Sequence, residues 1–198
     1  PPVERQYGNF AQPEGGFGPE FGLARTLYAK EQKPLAVLKV AFSGTGVRTD
    51  WNHANPGDGG ACYRALLSEY HSAVDAAKRS GIELKPRALV WVQGESDATA
   101  EDSPKYADRL GTMIGQLRKD IDSPDLQTLI AVNTQFSQGT NKFMPVIVEQ
   151  QRLLAERESR CHYVDTSEAT IANFAHYDTA GTLLVGRLFA EKLLTLTP

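Results

Sequence analysis

The chain has 198 residues, 41% hydrophobic and 23% charged, with a formal net charge of −3. That size and balance suit one globular α/β domain with a proper core, and the mixed charge, without a basic patch, argues against a nucleic-acid partner. No apolar run is long enough to cross a bilayer as a helix; the chain opens Pro1-Pro2 without a Met, so a removed leader is left open.

Residues 1–18 are rich in Gly, Pro and polar residues and predict a loop. Pro19 suits a first helical turn and Glu20 its positive end, and Phe21, Ala24, Leu27 and Tyr28 continue at helical spacing until Gln32 to Pro34. The apolar run 35–42 predicts a strand that stops in Ser43-Gly44-Thr45-Gly46. The stretch 47–60, with Trp51, His53 and several glycines, is too broken to be regular. Tyr63, Leu66, Leu67, Tyr70, Val74 and Ala77 form one stripe of a long helix that Gly81 can end. A second strand, 88–92, runs directly into Gln93-Gly94-Glu95-Ser96-Asp97. Ser103-Pro104 then opens a helix whose apolar stripe is Tyr106, Leu110, Met113, Ile114, Leu117 and Ile121. A strand over 126–132 ends at Asn133-Thr134-Gln135, a helix covers 145–156 and a short strand 161–164. The irregular stretch 165–177 leads to a last helix over about 179–194.

Strands alternating with helices predict a parallel sheet covered on both faces, a three-layer α/β/α sandwich, and no linker or repeat divides residues 1–198. In such sheets chemistry collects beyond the carboxyl ends of the strands. Three segments carry polar groups there. Gly44 can bring a backbone N–H close to a ligand. Gln93 can donate its amide to a developing oxyanion, Glu95 can orient a histidine or act as a base, and Asp97 can instead cap the next segment of chain. His176, before the last helix, can serve as a general base. Each also has an ordinary structural reading as a turn, a cap or a surface residue. His71 and His162 sit in or beside regular elements, and His53 lies in the glycine-rich loop. No metal-binding histidine pair, phosphate loop or dinucleotide fingerprint occurs, so no metal and no cofactor is expected. Cys62 and Cys161 lie far apart and outside any Cys-x-x-Cys pair; buried thiols and a disulfide both remain open.

Four strings together resemble the SGNH hydrolases of the GDSL superfamily. They are Gly18-Pro19-Glu20 opening a helix, Ser43-Gly44-Thr45 followed by Trp51, Trp91-Val92-Gln93-Gly94-Glu95-Ser96-Asp97, and His176-Tyr177 followed by Ala180-Gly181. The third is the most specific. More narrowly, the chain looks like the carbohydrate-esterase branch with sialate O-acetylesterases and acetylxylan esterases. The resemblance covers nearly the whole chain in order. It implies a flavodoxin-like sheet, a secreted or periplasmic setting and an acetylated carbohydrate as substrate. It implies hydrolysis by serine-hydrolase logic. His176 would be the general base, Gly44 and Gln93 oxyanion donors and Glu95 an assisting carboxylate.

The chain departs from the family pattern twice. Asn173 stands where the family has an aspartate three residues before its histidine. No Gly-Gln-Ser-Asn nucleophile string occurs in the 198 residues. Ser43 falls in the glycine block and not in the nucleophile block. The expectation is therefore that a first strand and its serine lie outside this stretch of sequence, upstream of Pro1. Without that strand, 35–42 and 88–92 would each present an unpaired central edge. The alternative is a catalytically impaired carbohydrate-binding protein on the same fold.

Overall fold

A computed structural model describes residues 17–55 and 59–196. Most of the loop expected over 1–18, and residues 56–58 of the loop over 47–60, lie outside the described residues. The helices are α1 (Pro19–Glu31), α2 (Ala61–Arg79), α3 (Tyr106–Asp120), α4 (Met144–Arg157) and α5 (Thr179–Thr195); the strands are β1 (Ala88–Val92), β2 (Gln127–Ala131) and β3 (Cys161–Tyr163). Short 3-10 turns cover Glu95–Asp97, Ser103–Lys105 and Phe136–Gly139. The helices start where local chemistry favours them, with proline in the first turn of α1 and α4 and the Asp178 carboxylate capping α5 through the Gly181 N–H at 2.7 Å.

The three strands form a parallel sheet in the order β1-β2-β3. Ala88 pairs with Gln127 through to Val92 with Ala131, and Thr128 with Cys161 through to Ile130 with Tyr163. β2 is central and buried on both faces, as its continuous apolar run requires. Alternation along the strands divides the core in two. Trp91, Ile130 and Val132 face one cluster with Leu110, Met113 and Ile114 of α3 and Ile147 of α4. Leu129 and Ala131 face the other, with Leu23 and Leu27 of α1 and Val185 and Phe189 of α5. The result is the expected three-layer α/β/α arrangement. Cys62 and Cys161 are both buried, and no disulfide joins them.

α1 and α5 approach closely because both carry glycine at the crossing. A Cβ on Gly186 would sit 2.1 Å from the Pro19 carbonyl oxygen and 2.9 Å from the Gly22 Cα. The obstructing atoms are backbone, so a side chain can be admitted only by moving a helix. Gly186→Ala is expected to destabilise the domain by about 2–3 kcal/mol, the range of overpacking. A urea titration checks this: the midpoint should fall with little change in slope.

One expected element differs. Residues 35–42 form no strand among the described residues; Leu35, Val37 and Leu38 are 38%, 44% and 42% exposed. The composition suits a strand, but a strand exists only through a ladder partner, and β1 takes its one described partner, β2, on the other side. The end of this stretch is nevertheless held. Phe42 meets Trp51 edge-on at 5.6 Å, and Trp51 meets Trp91 of β1 edge-on at 4.9 Å. This aromatic series fastens the turn at Ser43 and Gly44 beside the carboxyl end of β1.

Candidate functional site

The first wall is that turn. Gly44 has φ +66°, and nothing lies within 4 Å of where a Cβ would stand, so glycine serves the backbone conformation and not a lack of space. Thr45 is buried. Its hydroxyl accepts from Trp51 Nε1 at 2.9 Å and donates to the Phe42 carbonyl at 3.2 Å.

The second wall is the end of β1. Gln93 Nε2 donates to the Thr45 carbonyl at 2.9 Å and to Asp97 Oδ2 at 2.7 Å. Both amide hydrogens therefore have internal acceptors, where the sequence suggested an amide available to an oxyanion. The competitor is Asp97, which is almost fully buried and also accepts from the Val47 N–H at 3.1 and 3.2 Å. Desolvation pushes the Asp97 carboxyl above its usual range, opposed by Gln93 and Val47. Behind Gln93, Tyr106 donates to its carbonyl at 2.7 Å, and Gln151 Nε2 donates to the same carbonyl at 3.0 Å. Gln93 is thus held from three sides.

Gly94 aims the next residue. It has φ +153°, and a Cβ there would stand 2.6 Å from Ile147 Cγ2 and 3.0 Å from Val132 Cγ2. With Gly94 pressed against these side chains, the chain turns into Glu95–Asp97, and Glu95 Oε1 accepts from the Asn133 N–H at 3.0 Å. Desolvation pushes the Glu95 carboxyl above the usual carboxylate range, against the N–H groups of Asn133, Gly94 and Glu95 itself; the nearby Asp97 charge pushes the same way.

The third wall is the loop over 171–177, a narrow hairpin closed by an antiparallel bridge between Ile171 and Tyr177 and by Ala172 N–H donating to the His176 carbonyl at 2.8 Å. Asn173 Oδ1 accepts from the N–H groups of Ala175 and His176, both at 2.9 Å, and faces His176 Nδ1 at 3.0 Å. The two backbone donors fix which end of the amide points inward. An oxygen facing Nδ1 requires the proton to sit on Nδ1 in the neutral imidazole, which leaves the lone pair on Nε2. Half-buried Tyr177 anchors the loop base, its hydroxyl 3.2 Å from Thr166 Oγ1, which donates to the Val132 carbonyl at 2.8 Å.

Asn133 joins the second and third walls. Its N–H holds Glu95, its Nδ2 donates to the Ala175 carbonyl at 3.1 Å, and its Oδ1 accepts from the Gln135 N–H at 3.1 Å. The sequence marked Asn133 only as a strand end. Its position just beyond β2, by the same rule that singled out Gln93, was the available signal. Gly44, Gln93, Glu95, Asn173 and His176 are thereby connected: Gly44 to Gln93 through Thr45, and Glu95 to the histidine loop through Asn133. The Nδ1 position that Glu95 was a candidate to hold belongs to Asn173.

A cleft of about 180 Å³ is lined by Val47, Asn52, His53, Asp108, Arg109, Thr112 and Met113, none of them among those five residues. The His53 ring lies 5.8 Å from that of Tyr63 at a tilt of 56°, and Arg109 is taken by Asp102 at 2.7 Å. Among the described residues no group of three or more His, Cys, Asp or Glu could hold a metal ion, and no helix is long and apolar enough to cross a membrane.

A parallel α/β/α sandwich with a polar, histidine-bearing cluster at the carboxyl ends of its strands defines the class. The family described as "Carbohydrate esterase, sialic acid-specific acetylesterase" matches residues 2–195. The chain belongs to that family and is an SGNH-type carbohydrate esterase domain. Among solved structures, a protein from Arabidopsis thaliana is similar in fold, with a TM-score of 0.75 and 21% identity over 91% of this chain and 69% of the other. No curated protein matches the chain.

Proposed function

We propose that the domain removes acetyl groups from O-acetylated carbohydrate by a serine-hydrolase mechanism, with His176 as general base. The observation that carries this reading is the orientation of His176 by Asn173. In a triad whose aspartate is replaced by asparagine, much of the loss comes from the wrong imidazole tautomer. Here two backbone donors hold the asparagine oxygen toward Nδ1, so the required tautomer is kept.

A serine oxygen attacks the acetyl carbonyl carbon and its proton passes to His176 Nε2. The imidazolium returns that proton to the departing sugar oxygen, leaving an acetyl-enzyme. Water then attacks with the same base, and acetate leaves. The Gly44 N–H is the backbone donor to the oxyanion, and Gln93 serves it by holding the turn through Thr45. Direct donation by Gln93 requires release of Thr45 or Asp97. Asn173 orients the imidazole, and Glu95 supplies the negative charge that Asn173 lacks.

The nucleophile in this reading is a serine outside the 198 residues, on a strand that lies along the outer edge of β1. Two features support it: that edge has no strand partner among the described residues, and the nearby stretch 35–42 has a strand's apolar composition yet forms no strand there. The test is labelling of the full-length protein with a fluorophosphonate, which reacts with activated serines, followed by peptide mapping. A single labelled serine outside these residues is expected, together with release of acetate from an acetylated sugar. A label on Ser43, or none in a protein of proven full length, would overturn the assignment.

The asparagine provides a second check. Asn173→Asp puts a carboxylate against His176 Nδ1 with the same backbone donors. It should raise kcat by about tenfold or more, because charge stabilises the imidazolium formed in the transition state. Steady-state hydrolysis of an acetyl ester measures it.

A further inference from the structure

Phe174 is 60% exposed, although its own backbone is tethered. Its carbonyl accepts from the Ser137 N–H at 2.6 Å, and its ring lies 6.4 Å from that of Phe136 at an angle of 54°. Phe136 in turn packs on the core cluster that contains Val132 and Ile147, the two side chains against which Gly94 is pressed. The aromatic pair therefore stands at the same end of the sheet as Glu95. It also stands two residues from His176 and one from Asn173.

The loop that presents Phe136 is strained. Ser137 and Gln138 have φ of +57° and +52°, followed by Gly139 at +74°. Two consecutive non-glycine residues in the left-handed region cost about 1–3 kcal/mol each and persist where the surroundings over-determine them. What the loop gains in return includes the Ser137 N–H bond that holds the tip of the histidine hairpin. A lone exposed aromatic needs no explanation. One whose backbone is held by a strained loop, two residues from the general base, does.

We infer that Phe174, backed by Phe136, is a stacking shelf for the pyranose ring of the acetylated substrate, and so a specificity-determining residue on the leaving-group side. This rests on the esterase reading above. An aromatic face offers a large apolar surface at little entropic cost, and a pyranose presents an apolar C–H face that matches it. Because the ring is carried by the hairpin that carries His176, a sugar seated on it stays beside the base that must protonate its oxygen.

The shelf separates a sugar ester from an ester without a ring. Xylose tetraacetate and ethyl acetate, followed by acid release with the full-length protein, are the probes. Phe174→Ala should lower kcat/KM for the sugar ester about tenfold, mostly through KM, because ground-state and transition-state binding are lost together. Ethyl acetate should change less than about twofold, and Phe174→Trp should restore the sugar ester. Equal losses on both esters would show that Phe174 only positions the hairpin, and no loss on either would show that no ring sits there; each overturns the shelf while leaving the esterase reading standing. If the wild-type protein cleaves neither ester, calorimetric titration with methyl β-xyloside decides the shelf by itself. Binding that Phe174→Ala abolishes supports it, and absent or unaffected binding overturns it.

Discussion

His176→Ala in the full-length protein is expected to lower kcat/KM for an acetyl ester by on the order of 10⁴–10⁶-fold, the cost of removing the base from a serine-hydrolase constellation. The fold should be almost untouched. His176 is exposed, and Asn173 Oδ1 keeps its backbone bonds to residues 175 and 176 at 2.9 Å after truncation. The melting temperature should therefore shift little, within the usual ±0.5 kcal/mol of a surface change. Added imidazole should recover part of the activity, since the cavity and the Asn173 acceptor remain. Activity that survives the substitution would exclude His176 as the base.

The second large effect belongs to Glu95, and it has opposite signs on activity and stability. Glu95→Gln should lower kcat by about 10²–10³-fold if its charge stabilises the imidazolium. The same charge is costly to the folded state. Burial pushes the Glu95 carboxyl up, so the folded protein holds its proton more tightly than the unfolded chain does. Its contribution to stability is complete below the ordinary carboxylate range and is lost as pH rises through the elevated folded value. Glutamine keeps an oxygen for the Asn133 N–H and cannot ionise. The variant should therefore melt above the wild type at pH 8, and the gap should narrow at pH 4. In the wild type, Glu95 should add a component to the acid limb of kcat/KM above the usual carboxylate range, and only that component should be missing from the variant. Combining Glu95→Gln with Asn173→Asp tests whether the two positions share one role. A carboxylate at residue 173 should offset much of the loss, and strictly additive effects would show independent roles.

These two expectations join residues that lie far apart in the chain. The histidine and the asparagine beside it were legible together, because they are three residues apart in the segment that precedes the last helix. The Gln93-Gly94-Glu95 terminus was legible because an apolar run ended in polar groups. The link between them was not. It runs through Asn133, which donates to Glu95 by its backbone and to the Ala175 carbonyl by its side chain. Its one local signal is its place just beyond a strand, which it shares with ordinary strand-end asparagines.

The helices, strands β1 to β3 and the parallel three-layer arrangement follow from local pattern alone: 3.6-residue stripes, short apolar runs, and proline or aspartate where helices begin. The candidate site was legible there too, because the Gln-Gly-Glu and His-Tyr strings are chemical in themselves. Tertiary structure decided how these parts are used. It made no strand of 35–42 among the described residues, since a strand is a property of two edges and not of one segment. It gave the Gln93 amide to Thr45 and Asp97, because a buried carboxylate competes for every donor it can reach. It put Asn173, and not Glu95, on the histidine's Nδ1. Hydrogen-bond partners are chosen by distance in space, and spacing along a sequence determines that distance only within a turn or two of chain.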